Sequence, residues 1–506
     1  MSKDQQLDNL DSYTDKSISL SDRYRKFVFL GFFREFMSNA VSIVSLFFIA
    51  RIFVPYQGIS DQMFFLSNSL GITGTIALLG YTYSLTRKAI VDKHLNSTIL
   101  NQGTSFLFII GIPINLILNL VLGIIDGISP IQLLLFLISS ILYYIFLVIQ
   151  VVEDIILQSN RNVLMQTLQN ILSSLSVPIF FVLFKSLEII FIAWIFSLSI
   201  SLLYNYGLIF KILSNLKFNF EVNSDIFMYG FILYILAVYS LLSKYLDTPI
   251  LRFFFPTGVL TEYTFAFRIA TTVFELFTVL MTGSFPLLTN YYIRQEYNQF
   301  LETIKSLIKI GIMIGLFLFG FSFIGANFGL TFLLSSKYPE APLYFNILIL
   351  AFFIRITPLI LQQVFSARGN RRFLAEISII VSTTRIFYLI LFAHLGGLGL
   401  AIVEVLYSIT FLLVCSYRER KFLLDFIYSY PKFLVSVTIL IITLLILPSS
   451  GSLIMISLIA LIFLFIFIAV LYILKPFNMN DYKLIERIIG NKFNISLYFK
   501  KLFVTI

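Results

Sequence analysis

Charged side chains inside apolar runs are the residues whose type and placement could do chemistry in this sequence. Arg34, Arg268, Arg355 and Arg385 each lie in a stretch hydrophobic enough to cross a bilayer, and Lys244 joins them. A charge at the centre of a membrane helix costs about 2.5–3.5 kcal/mol on insertion scales, so it must face protein or a wet cavity. A guanidinium stays charged and offers a planar fork of donors suited to phosphate. Together these five side chains would line a cationic, substrate-binding cavity. Each could instead serve in a structural ion pair, the arginines with Glu35, Glu275, Glu376 or Glu404. Lys244 and Asp247, three residues apart, could neutralise each other. Glu35, Asp247 and Glu275 are candidates for coupling to an H+ or Na+ gradient.

Spacing strengthens this reading in the 258–292 run. Thr264, Arg268, Thr271, Glu275, Thr278 and Thr282 recur at steps of four and three. Such steps keep residues on one helix face. The stripe extends about 27 Å at ~1.5 Å per residue, close to the ~30 Å hydrocarbon thickness. A polar line of that length suits a water-filled passage, with helix–helix contact as the alternative because threonines also bond to their own backbone. In the 27–54 run Arg34, Ser38, Ser42 and Ser45 share a face, with Glu35 and Asn39 beside it. Ser378, Ser382 and Arg385 repeat the pattern in 373–394, and Ser240, Lys244 and Asp247 in 226–248. The expected cavity lining is therefore Ser38, Ser42, Thr264, Thr271 and Thr278.

The elements that must carry these stripes are membrane helices. Of 506 residues, 58% are hydrophobic and 12% charged, against about 25% charged in a soluble domain. Fourteen apolar stretches are legible, at 27–54, 59–82, 98–125, 130–152, 163–184, 187–210, 226–248, 258–292, 304–335, 341–366, 373–394, 396–416, 428–448 and 452–474. Lys and Arg cluster in every second loop and in both tails, as at Arg87, Lys88 and Lys93, at Arg368, Arg371 and Arg372, and at Arg418, Arg420 and Lys421. That alternation predicts an even number of spans with both termini cytoplasmic, in a multi-pass protein of the cell membrane. The net charge of +10 is then a topology signal, and no nucleic-acid partner is expected. The polar residues 1–26 lead into a first span expected to act as an uncleaved insertion signal. One cysteine, Cys415, and two distant histidines, His94 and His394, predict no disulfide, metal site or cofactor.

The chain repeats itself once. Arg51-Ile-Phe-Val-Pro55 is followed by Gly58 and Asp61, and Arg252-Phe-Phe-Phe-Pro256 by Gly258 and Glu262. Asn160-Arg161 and Asn370-Arg371 form a second echo. Two six-span halves fit transporters whose site lies between repeats near the midplane. The expected organisation is a tail at 1–26, an N-lobe at 27–217, a C-lobe at 218–420, a peripheral helix pair at 421–475 and a tail at 476–506.

The chain resembles the multidrug/oligosaccharidyl-lipid/polysaccharide exporter superfamily, and within it the polysaccharide repeat-unit flippases of O-antigen type. The resemblance covers residues 25–490. It rests on Pro55-Tyr-Gln-Gly58, on Glu262-Tyr-Thr-Phe-Ala-Phe-Arg-Ile-Ala270 through Phe285-Pro286, and on Phe365-Ser-Ala-Arg-Gly-Asn370. His394-Leu-Gly-Gly-Leu-Gly399 and Lys475-Pro476-Phe477 with Asp481 complete it. It implies an all-α fold of two pseudo-symmetric six-helix lobes in a V shape, working by alternating access. It also implies a lipid-linked pyrophosphate oligosaccharide as substrate, with polysaccharide assembly proteins as partners. Arg34-Glu35 and Arg268 look like matches to charged residues that matter in the family's peptidoglycan-precursor flippases. The expected function is a flippase and not an enzyme, acting as a monomer. A cation-coupled drug antiporter on the same fold is one alternative, but an arginine-lined cavity should repel organic cations. A membrane-embedded glycosyltransferase or polymerase is another, but such enzymes need a long external loop with paired carboxylates, which this sequence lacks.

Overall fold

A computed structural model describes residues 41–46, 48–78, 104–155, 159–207, 239, 245–334, 338–447, 453–482 and 484. The described chain is all-helical. After a helical stretch Val41–Ile52, the helices are α1 (Gln57–Ala77), α2 (Ile112–Ile125), α3 (Pro130–Ile155), α4 (Ser159–Phe184) and α5 (Leu187–Tyr204). There follow α6 (Asp247–Phe254), α7 (Val259–Ile293), α8 (Tyr297–Leu334), α9 (Ala341–Ala367), α10 (Arg371–Phe392) and α11 (Gly397–Arg418). The last are α12 (Arg420–Ser429), α13 (Pro431–Ile446) and α14 (Leu453–Leu474). Among the described residues nine helices are long and apolar enough to cross a membrane, or ten if the bent pair α12–α13 counts as one span. Helix α7 has 35 residues.

Helix ends explain how the chain turns between crossings. Backbone groups left over at a helix end need partners, most acutely away from water. After α9, Gly369 takes φ +69. Its N–H bonds to the Ser366 carbonyl, and the Asn370 N–H to the Phe365 carbonyl, both at 3.0 Å. That is a Schellman ending, which a residue without a Cβ adopts most easily. Gly258, at φ +100, precedes α7 in the same left-handed region. The N-termini of α7 and α9 are capped by carboxylates from other helices. Asp61 accepts the N–H of Gly258 at 2.7 Å and of Thr261 at 2.9 Å. Glu262 accepts the N–H of Glu340 at 2.6 Å and of Ala341 at 3.0 Å.

The helices pack in two groups. In the first, α3 packs on α2 and α5, α4 on α5, and α1 on α2 and α3. In the second, α9 packs on α7, α8 and α11, and α10 on α11. The groups meet where α1 packs on α6 and α7, and one apolar cluster runs through that seam from Phe64 and Trp194 to Phe265, Tyr344 and Leu400. Helices α13 and α14 pack on each other and on α8. Gly320 of α8 leaves room for the Phe463 ring of α14, which a Cβ there would meet at 2.4 Å. The opposite side of α14 leaves Ile454, Phe465 and Ile473 exposed, as lipid contact requires.

Candidate substrate cavity and buried ion cluster

Helix α7 presents its polar stripe along the seam, and exposure rises along it. Thr264 is buried, Arg268, Thr271 and Thr278 are half-buried, and Glu275 is exposed. The Thr271 hydroxyl donates to the carbonyls of Phe267 and Arg268 at 2.9 Å, and the Thr278 hydroxyl to that of Glu275 at 2.9 Å. These threonines thus use their protons on their own helix.

Arg268 reaches into a cavity of about 100 Å³. The helical stretch 41–52 contributes Ser42 and Ser45, α1 contributes Phe64 and Ser67, and α4 contributes Ser173. With Trp194 of α5, four elements of the first group and seam surround one guanidinium of the second. The guanidinium carbon lies 4.9 Å from the centroid of the Phe64 ring, a cation–π contact that holds the charge without neutralising it. Among the described residues Arg268 forms no ion pair. A fixed positive fork beside several hydroxyls, in a space between the two helix groups, is chemically suited to an anionic group such as a phosphate.

Arg355 and Arg385 are placed differently from the expected cationic lining. They belong to a buried cluster in which two arginines face two carboxylates. Arg385 of α10 is 2% exposed. Its Nη2 donates to both Asp247 oxygens, at 3.0 and 2.9 Å, and to Glu404 at 2.6 Å. Arg355 of α9 bonds Glu404 through Nη2 at 2.5 Å and the Ser408 hydroxyl at 3.1 Å. The Tyr263 hydroxyl donates to Asp247 at 3.1 Å. Two positive and two negative charges cancel, so the cluster joins α6, α9, α10 and α11 and attracts no net anion. The sequence named Glu404 as one partner, but not the pairing of Asp247 with Arg385. Arg34, Glu35, Ser38 and Lys244 lie outside the described residues.

Sequence reasoning missed the contacts that hold the seam at one end. Arg252 Nε bonds the Asp126 carboxylate at 2.8 Å, and Arg51 Nη2 bonds the Phe332 carbonyl at 2.8 Å. Ser60 and Thr261 share a hydroxyl–hydroxyl bond of 2.6 Å. Burial pushes the Asp126 carboxyl above its ordinary range, against the pull of Arg252. The repeated Arg-to-acid segment named Arg51 and Arg252, but a repeat does not say what each copy touches. Missed too was the buried pair of Lys309 and Asp481, which ties the segment after α14 to α8.

No family model and no curated protein matches this chain. Solved structures do match. A lipid II flippase MurJ in an inward closed conformation superposes with TM-score 0.68 at 17% identity, over 88% of this chain and 98% of that one. An outward-facing multidrug resistance MATE family transporter of the MOP superfamily gives 0.52 at 15% identity, over 79% and 96%. A MATE transporter from Vibrio cholerae gives 0.50 at 14% identity, over 79% and 98%. At these identities the likeness shows the fold: a multi-pass, all-helical membrane fold shared by a flippase and by drug transporters.

Proposed function

We propose that this protein is a flippase that moves a lipid-linked, phosphate-bearing oligosaccharide across the membrane, and that Arg268 holds the phosphate. The observation that carries this reading is an arginine without a carboxylate partner among the described residues, set in a serine-lined cavity between two helix groups. The shared fold with a lipid II flippase supports a lipid-linked cargo. In this reading the sugar head enters between the helix groups while its lipid chain stays in the bilayer. Arg34 and Ser38 join Arg268 and Ser42 on the cavity wall, and the open part of the α7 stripe, from Thr271 to Thr278, lines the way in. Coupling to H+ or Na+ falls to Glu35 or Glu275, with Asp247 acting through the buried cluster. Both termini lie in the cytoplasm, where the basic loops are, and the cargo moves from that side outward, as a precursor of a surface polysaccharide.

The cavity volume bears on the mechanism. About 100 Å³ is far less than an oligosaccharide fills. The helix groups must separate around Arg268 to admit cargo. The positive charge at the cavity disfavours organic cations, which sets this reading above a drug antiporter on the same fold. The test is translocation of a pyrophosphate-linked lipid sugar in proteoliposomes. Arg268→Ala is expected to abolish it while the protein still inserts and folds. Wild-type rates in that variant would remove the reading.

A further inference from the structure

We propose that Arg51 and Arg252 are reciprocal latches, each fastening its own half of the chain to the end of a helix in the other half. The two arginines occupy the same place in the repeated segment, four residues before Pro55 and Pro256. Arg51 crosses to the Phe332 carbonyl at 2.8 Å and lies 5.5 Å from the centroid of that ring. Phe332 is in the last turn of α8, where carbonyls lack helical partners and carry the negative end of the dipole. Arg252 crosses in the opposite direction to Asp126, the residue that ends α2. Each latch therefore binds a negative helix C-terminus of the opposite half. Between them Ser60 and Asp61 of α1 bond the first turn of α7.

All these contacts lie at one end of the bundle. Helices α2 and α8 arrive there, and α1, α3, α7 and α9 leave from it. The basic turns at Arg294, Arg368 and Arg418 lie at the other end. The latches therefore hold shut the end opposite the basic loops, and this conformation can open only towards those loops. The two are not equal in strength. The Asp126 side chain is fully buried and that of Arg252 half-buried, so losing Arg252 leaves a carboxylate stranded. Arg51 is exposed, and its contact with α8 is to a neutral carbonyl. The repeat is thus legible as a pair of locks with a strong and a weak member.

This inference rests on the transporter reading only in requiring that the latched end open, and its test uses no cargo. Spin labels on cysteines replacing Ile131 and Leu343, exposed positions at that end on α3 and α9, report the separation of the two halves by pulsed electron resonance. Full-length protein in nanodiscs, with buried Cys415 replaced by Ser, is the sample. Arg252→Ala is expected to raise the long-distance population about tenfold, as for loss of one charge-assisted bond, and Arg51→Ala by less. Asp126→Asn keeps the side-chain shape and is expected to act like Arg252→Ala. The exchange Arg252→Asp with Asp126→Arg is expected to restore much of the short-distance population. Unchanged distances in Arg252→Ala and Asp126→Asn would overturn the latch. So would an exchange variant as open as the single variants, because a direct ionic contact predicts rescue.

Discussion

Arginines of similar sequence context are sorted by their partners. Arg268 and Arg385 both sit on striped helix faces. Among the described residues only Arg385 meets carboxylates, at Asp247 and Glu404. Removing one member of a buried ionic cluster strands the others, at a cost of about 3–5 kcal/mol. Arg385→Ala is therefore expected to lower the unfolding midpoint strongly, as read by thermal melting in detergent. Arg268→Ala should leave the midpoint nearly unchanged, because it breaks no ion pair among the described residues. If both variants melt alike, the division between structural and cargo-facing arginines fails. The stripe holding Arg268 was legible because it obeys helical periodicity within one segment. Glu404 was among the partners the sequence offered, but the pairing of Asp247 with Arg385 was not legible, since the two lie 138 residues apart. Local spacing carries no trace of such contacts.

At the scale of the element, helix α7 depends on a neighbour for its start. Its N-cap, Gly258, has no side chain to offer, and Asp61 of α1 supplies the missing acceptor for Gly258 and Thr261. Loss of a capping carboxylate typically costs about 0.5–2 kcal/mol. Asp61→Ala is expected to fall in that range in melting experiments and also to loosen the contact of α1 with α7. Asp61→Asn, which keeps one oxygen acceptor, should lose less. Equal losses in the two variants would mean that capping is not what Asp61 contributes. Gly258→Ala should also destabilise, since φ +100 is strained for alanine and its Cβ would meet Gln57 at 3.0 Å. The breaks between helices were legible in the sequence as gaps between apolar stretches, as between 373–394 and 396–416. Caps supplied from another helix were not, because they depend on packing.

At the scale of the molecule, two helix groups share a seam that is bonded at one end and holds a small polar cavity beside Arg268. Ser60 and Thr261, 2.6 Å apart across that seam, suit a removable block. Oxidising the pair Ser60→Cys with Thr261→Cys should stop translocation in proteoliposomes, and reduction should restore it. Translocation by the oxidised, cross-linked protein would show that this seam need not part. The two-group arrangement was legible through the repeat, and the membrane class through composition. The collapsed size of the cavity was not, because it depends on how the groups close and not on residue type.

The claim at the centre of this account is that one guanidinium in that cavity recognises phosphate. The most direct measurement is equilibrium binding of a pyrophosphate-linked lipid sugar to purified protein in nanodiscs, beside the same lipid sugar lacking phosphate. Wild-type protein is expected to prefer the phosphorylated lipid, and Arg268→Ala to lose about tenfold or more of that affinity, the weight of a charge-assisted hydrogen bond. Equal affinity for the two lipids, or a phosphate preference that survives Arg268→Ala, would contradict it.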